Sequence, residues 1–225
     1  MTSTLLIRLQ TPMQAWGVES KFNVRDTCRE PTKSGIIGLM CCALGRKRDE
    51  NVNDLVNLRM GVRVDQEGVM MRDFQTARNI MSANGEVGAD TISQRFYLSD
   101  AIFLVGLEGS DDLLLKNLLD ALQHPRWLLY LGRRAFPPSN PVWLRDGLKM
   151  GINLESALEE FPFLGSEITF QKSKELRYII EDPNGSITQR DYPLLFATRT
   201  FQSRSQKVYF RDKPAKRIEE VLDVS

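Results

Sequence analysis

Ala101–Leu107 reads AIFLVGL, and Ser110–Leu122 follows it as SDDLLLKNLLDAL. The first run is short and wholly apolar, the pattern of a strand buried on both faces. In the second, Ser110, Asp111 and Asp112 supply helix-start chemistry. Leu113, Leu114, Leu118, Leu119 and Leu122 then fall along one side of an amphipathic helix. The same order, strand then helix, opens the chain. Thr4–Gln10 (TLLIRLQ) reads as a strand that ends at Thr11-Pro12. A helix is predicted from near Pro31, with start signals in Pro31 to Ser34, an apolar face in Ile36, Ile37, Leu39, Met40, Ala43 and Leu44, and Gly45 as C-cap. Gly35 and Gly38 inside that helix cost propensity and permit close backbone approach.

Between these two units, Met60–Val64 and Val69–Phe74 read as strands joined by Asp65–Gly68. Gln75–Phe96, with Gly85 and Gly88, is a long excursion of the functional or arm-like kind. Leu128–Leu131 offers a last strand. The order predicts an α+β, ferredoxin-like βαββαβ scaffold with an insertion, the sheet that RRM-type RNA binders use as a platform. After Tyr130 the character changes to a loop, LGRRAFPPSNP, with three prolines and two arginines. Leu154–Phe161 is a short helix candidate. Leu176–Glu181 and Ser186–Asp191 flank the turn signal Pro183-Asn184-Gly185, and Lys207–Phe210 is a further strand. Two units are therefore expected, residues 1–140 carrying the insert and a smaller β-rich lobe over 141–225.

The chain has 225 residues, 42% hydrophobic and 26% charged, which excludes collagenous, low-complexity and disordered classes. No apolar run approaches the ~18–20 residues of a bilayer span, and Met1–Gln10 is not a signal peptide. A cytoplasmic protein without membrane contact is expected. Cys28, Cys41 and Cys42 show no zinc spacing, so no metal or cofactor is expected. His124 is the only histidine, which removes paired-histidine RNA cleavage. Net charge is only +1, yet it is unevenly spread. Residues 1–48 carry eight basic and three acidic groups, 49–123 six and thirteen, and 124–225 sixteen and thirteen. Two basic ends could hold a polyanion without a basic whole.

Three stretches carry that possibility. Lys33-Ser34-Gly35 at a helix start is a ready anion site, although no Walker spacing is present. Arg133 and Arg134 beside Gly132, on a proline-stiffened loop, can clamp phosphates. Arg199 to Lys207, including Arg204, places cations among hydroxyls and amides, which suits a sugar–phosphate backbone. Trp16, in the irregular segment with Lys21 and Arg25, could stack on a base. His124 reads as a helix-end cap, and Asp111 and Asp112 as helix-start carboxylates rather than metal ligands.

Four motifs then converge: TPMQAWG (11–17), PTKSGIIGL (31–39), RDFQT (72–76) and YLGRR (130–134). Together with the looser run from Asp191-Tyr192-Pro193 through Arg199 and Arg204 to Val208, they resemble the CasD family across essentially the whole chain. That family supplies the crRNA 5′-handle subunit of the type I-E CRISPR Cascade complex. The resemblance implies a RAMP protein: a modified RRM lobe, a β-hairpin thumb at about 75–97, and a smaller β lobe. It implies a non-catalytic subunit that grips the crRNA 5′ handle, caps the backbone filament, and touches the neighbouring backbone subunit and the large PAM-recognising subunit. Target DNA is met only through the complex. Arg95 falls where the thumb arginine meets RNA. The expected RNA-binding set is Trp16, Lys21, Arg25, Lys33, Ser34, Gly35, Arg72, Gln75, Arg78, Arg95, Arg133, Arg134, Arg199, Arg204 and Lys207. Ala135 and Phe136 depart from the family, which often has smaller or Cys-type residues there. The competing reading is a metal-independent endoribonuclease of repeat RNA using His124 or a Tyr/Lys pair. A protein-binding scaffold is the third.

Overall fold

A computed structural model describes residues 1–18, 23–81, 84–85, 87–88 and 90–218. The chain is a mixed α/β protein with antiparallel sheets. In order, its elements are β1 (Ser3–Gln10), β2 (Met13–Gln14), β3 (Val24–Arg25), α1 (Lys33–Leu44), α2 (Asn53–Val56), β4 (Arg59–Gln66), β5 (Val69–Ala77), β6 (Thr91–Ser99), β7 (Ile102–Gly109) and α3 (Asp112–Gln123). There follow β8 (Trp143–Lys149), α4 (Leu154–Glu160), α5 (Glu167–Lys172), β9 (Glu175–Glu181), β10 (Ile187–Leu195) and β11 (Thr200–Asp212).

Seven strands form one sheet in the order β10-β11-β9-β4-β7-β1-β8. Alternation explains why the central strands read as unbroken apolar runs. Leu5, Ile7 and Leu9 of β1 and Phe103, Val105 and Leu107 of β7 face one core, shared with Ile36, Ile37 and Met40 of α1 and Leu115, Leu118 and Leu122 of α3. Leu6 and Leu104 face a second core built from Leu154 and Leu158 of α4 with Phe161, Phe163, Tyr178 and Ile180. A strand covered on both faces has no position for a polar side chain without a partner.

Two strand expectations are corrected. Leu128–Leu131 is loop. The strand beside β1 is β8, after the proline-rich loop, so the sheet runs across residue 140. Val69–Phe74 is a strand, yet it does not join the main sheet. As β5 it pairs along its whole length with β6, from Val69↔Ser99 to Ala77↔Thr91, in a second sheet that β2 and β3 complete. The excursion is thus a hairpin that starts at residue 69. No helix among the described residues is long and apolar enough to cross a membrane.

Candidate nucleic-acid interface

Three of the quoted motifs meet at the start of α1. Thr32 caps the helix, its hydroxyl accepting from the Gly35 amide at 3.3 Å. Trp16 packs against that turn, so that a Cβ on Gly35 would sit 2.8 Å from its ring. The indole is buried, and its N–H donates to Gln14 (3.0 Å), whose own amide donates to the Ala101 carbonyl. Gly132 has φ +88°, and a Cβ there would stand 1.6 Å from the Ala15 carbonyl oxygen. Only glycine fits a left-handed residue pressed onto another backbone. The motif residues therefore lock two loops and a helix start together.

What they leave is a groove of about 550 Å³ along the outer face of α1. Its floor is a stripe of small residues, Ser34, Gly38 and Cys42 spaced about one helical turn apart, with Gly35 beside Ser34. One wall holds Trp127, Tyr130 and Gly132, the other Phe196, Arg199 and Phe201 from the β10–β11 turn. Arg25 and the run Arg46, Lys47, Arg48 join Gly17, Val18, Leu39 and Cys41 in the rest of the lining, which contains no carboxylate among the described residues. Arg46 is paired with Asp54, at 2.5 and 2.6 Å. Arg25, Lys47, Arg48 and Arg199 carry no carboxylate partner among the described residues. Arg199 reaches its place with φ +52°, costly for a side-chain-bearing residue. Nothing in the GRKR run distinguished these cations in sequence, since a polar post-helix connection reads the same way.

Several of the expected contact residues are engaged within the protein itself. The α1 N-terminus does bind an anion, but the anion is the protein's own Asp191, whose carboxylate accepts from the Lys33 amide at 2.7 Å. The Lys33 ammonium is buried at 1% exposure. It pairs with Glu181 at 2.7 Å and sits 4.9 Å over the Tyr192 ring. Burial lowers its pKa, and Glu181 pulls it back up. Arg204 is likewise spent on Asp191, at 2.7 and 2.9 Å. These two cations join α1 to β9, β10 and β11 and are not free for phosphate. Trp16, expected to stack on a base, is buried at 2% exposure against the start of α1. Lys207 is half-exposed and pairs with Asp182 at 3.0 Å.

The other predicted residues distribute as follows. Ser34, Gly35, Arg25 and Arg199 line the groove. Arg133 donates to the carbonyls of Phe96 (2.7 Å) and Arg25 (3.2 Å), tying its loop to β6 and β3. Burial depresses its pKa, and the nearby Arg95 and Arg25 cations add to the effect. Arg95 stands opposite Arg25 in register. The three guanidiniums gather there with the carboxylates of Asp73, which stands opposite Arg95 on β5, and Asp26, which offset part of their charge. Arg134 is exposed, as are Arg72, Gln75 and Arg78 on or beside β5. Lys21 lies outside the described residues. His124 is exposed at the end of α3 and lines no part of the groove.

Fold and groove thus define a mixed α/β protein that sets cations and aromatic rings over one helix. The family model described as "CRISPR-associated protein (Cas_Cas5)" matches residues 4–211, and the chain belongs to this Cas5 family of CRISPR-associated proteins. It is 31% identical over 219 residues to the CRISPR system Cascade subunit CasD of Escherichia coli (strain K12), covering 91% of this chain and 94% of that protein. A solved structure described as a Cas protein matches with TM-score 0.78 at 41% identity, over 96% and 98% of the two chains. A chain of a CRISPR RNA-guided surveillance complex matches with TM-score 0.78 at 30% identity, over 94% and 91%.

Proposed function

We propose that this protein is a crRNA-binding subunit of a type I-E Cascade surveillance complex, holding the crRNA 5′ handle without cleaving it. The observation that carries the reading is the groove: five basic side chains and four aromatic rings around a floor of small residues, with no carboxylate in the lining. Cations for phosphates and π-faces for unpaired bases are what a single strand of RNA engages. The family and the likeness to a chain of an RNA-guided surveillance complex support the assembly.

The strand order β8-β1-β7-β4, with α1 and α3 on one face, supports the ferredoxin-like RAMP scaffold. The lobes 1–140 and 141–225 are fused in this reading, because β8 from the second closes the strand order of the first. The β5–β6 hairpin is the thumb. Val69 and Phe74 are exposed on it, at 62% and 59%, and supply apolar surface for the backbone subunit and the large PAM-recognising subunit. Target DNA would be met through these neighbours, in the cytoplasm.

The test is incubation of the purified full chain with repeat RNA in EDTA, followed by a binding titration across salt concentrations. Intact RNA, bound with salt-dependent affinity, is the expected result. Specific cleavage would move the protein to the endoribonuclease class, and failure of any RNA to bind would leave only a scaffold.

A further inference from the structure

One wall of the groove carries an aromatic ring left partly open to solvent and without an aromatic partner among the described residues. Trp127 is 45% exposed and has no stacked or edge-on ring partner among the described residues. Its backbone, by contrast, is held firmly. The Arg126 amide donates to the Ala43 carbonyl at 2.9 Å, and the Arg126 side chain packs over Gly45 at the end of α1. The Cys42 thiol points at the Leu128 and Trp127 carbonyls, at 3.3 and 3.8 Å. The ring therefore projects from a clamped loop into a groove that also holds Arg46, Lys47 and Arg48.

Leaving so large an apolar ring half in water forgoes the burial it could supply to a core. A fixed backbone under an unpartnered ring is an arrangement in which binding orders little that is not already ordered. Cations along the same groove supply the phosphate contacts that bring a base over that ring.

Resting on the reading of the groove as an RNA site, we infer that Trp127 is the base-stacking residue at the α1 C-terminal end of the groove, receiving one unpaired nucleobase while Lys47 and Arg48 take the adjoining phosphates. Lys33-Ser34-Gly35 at the other end has no such role, since Asp191 fills it. Stacking on an indole is indifferent to base identity, so this subsite selects an unpaired base rather than a sequence.

The experiment compares two probes on the full chain: a short single-stranded RNA, and a ribose–phosphate chain of equal length lacking bases. Both carry the same charge, so their affinity ratio isolates stacking. The wild type prefers the base-bearing chain by about tenfold, within the range of one base–aromatic stack. Trp127→Ala loses most of that preference, and Trp127→Phe retains most of it. Trp127 emission, obtained as the difference between wild type and Trp127→Phe, is quenched by the base-bearing probe and not by the abasic one. Melting temperatures of both variants are read alongside, and Trp127→Phe, which keeps a ring in place, separates lost stacking from misfolding. A wild-type preference persisting in Trp127→Ala, or emission indifferent to base-bearing RNA, overturns the stacking role while leaving the groove as the RNA site. Wild type that binds neither probe overturns the groove reading and the stacking role with it.

Discussion

Lys33 and Arg199 are both cations near a helix that an RNA-binding protein would use, and their surroundings give them opposite duties. Lys33 is enclosed by Glu181, Asp191, Arg204 and Tyr192. Lys33→Met would take the ammonium partner from the largely buried Glu181 carboxylate, while Asp191 keeps Arg204 and the backbone amide of residue 33, and the expected loss is about 3 kcal/mol of stability, read by denaturant unfolding, with the salt slope of RNA binding unchanged. Arg199 faces the groove from a strained turn. Arg199→Gly relieves the positive φ, so the melting temperature holds while the salt slope shallows by about 0.7, one phosphate on a single strand. A Lys33→Met protein of full stability but altered slope would reverse the two assignments. Gly132→Ala belongs at this scale too. The added methyl meets the Ala15 carbonyl at φ +88°, and about 2–4 kcal/mol of destabilisation is expected.

At the scale of elements, what could be read from the sequence depended on whether its cause was local. AIFLVGL and the Leu-rich α3 carry their own patterns, and both are where they were expected. β5 was legible as a strand but its partner was not, because pairing with β6 instead of β4 is decided by a turn and by packing, not by Val69–Phe74 itself. WLRDGLK gives β8 no clean alternation, while Leu128–Leu131 is more apolar and is loop; anchoring of that loop to α1 through the Arg126 amide overrode its propensity. The anion site at α1 was legible as chemistry. That its anion comes from Asp191, distant in sequence, was not. Long-range ties of this kind also set the acid response. Arg59 hydrogen-bonds Glu155 at 2.6 and 2.9 Å, pinning α4 to β4, and holds the Glu155 carboxyl below its ordinary range. A carboxyl with a lower pKa folded than unfolded stabilises the protein above the unfolded value of about 4.3, and that stability is lost as pH falls through the folded value. Glu155→Gln should therefore lower stability at neutral pH and flatten the acid limb of a melting-temperature profile. An unchanged profile would mean that the pair contributes nothing measurable.

Taken whole, the molecule has a net charge of only +1, so it exerts little long-range pull on RNA. Attraction has to come from where cations are concentrated without counter-charges, and the groove lining is such a place. Its four cations without carboxylate partners among the described residues, Arg25, Lys47, Arg48 and Arg199, come from three separate stretches, β3, the run after α1 and the β10–β11 turn, which the fold brings together over α1. If each neutralises one phosphate of a single strand, the logarithm of affinity falls against the logarithm of salt concentration with a slope of about −3, from ~0.7 per contact. Arg48→Ala with Arg199→Ala should shallow that slope by about 1.4, roughly half, without lowering the melting temperature, because neither side chain is tied into the fold. Arg72→Ala with Arg78→Ala, exposed on or beside β5, changes the same number of charges and leaves the slope of the isolated chain near its starting value. Equal effects from the two pairs would mean that RNA responds to total charge rather than to this groove. A larger effect from the hairpin pair would move the principal contact out to β5.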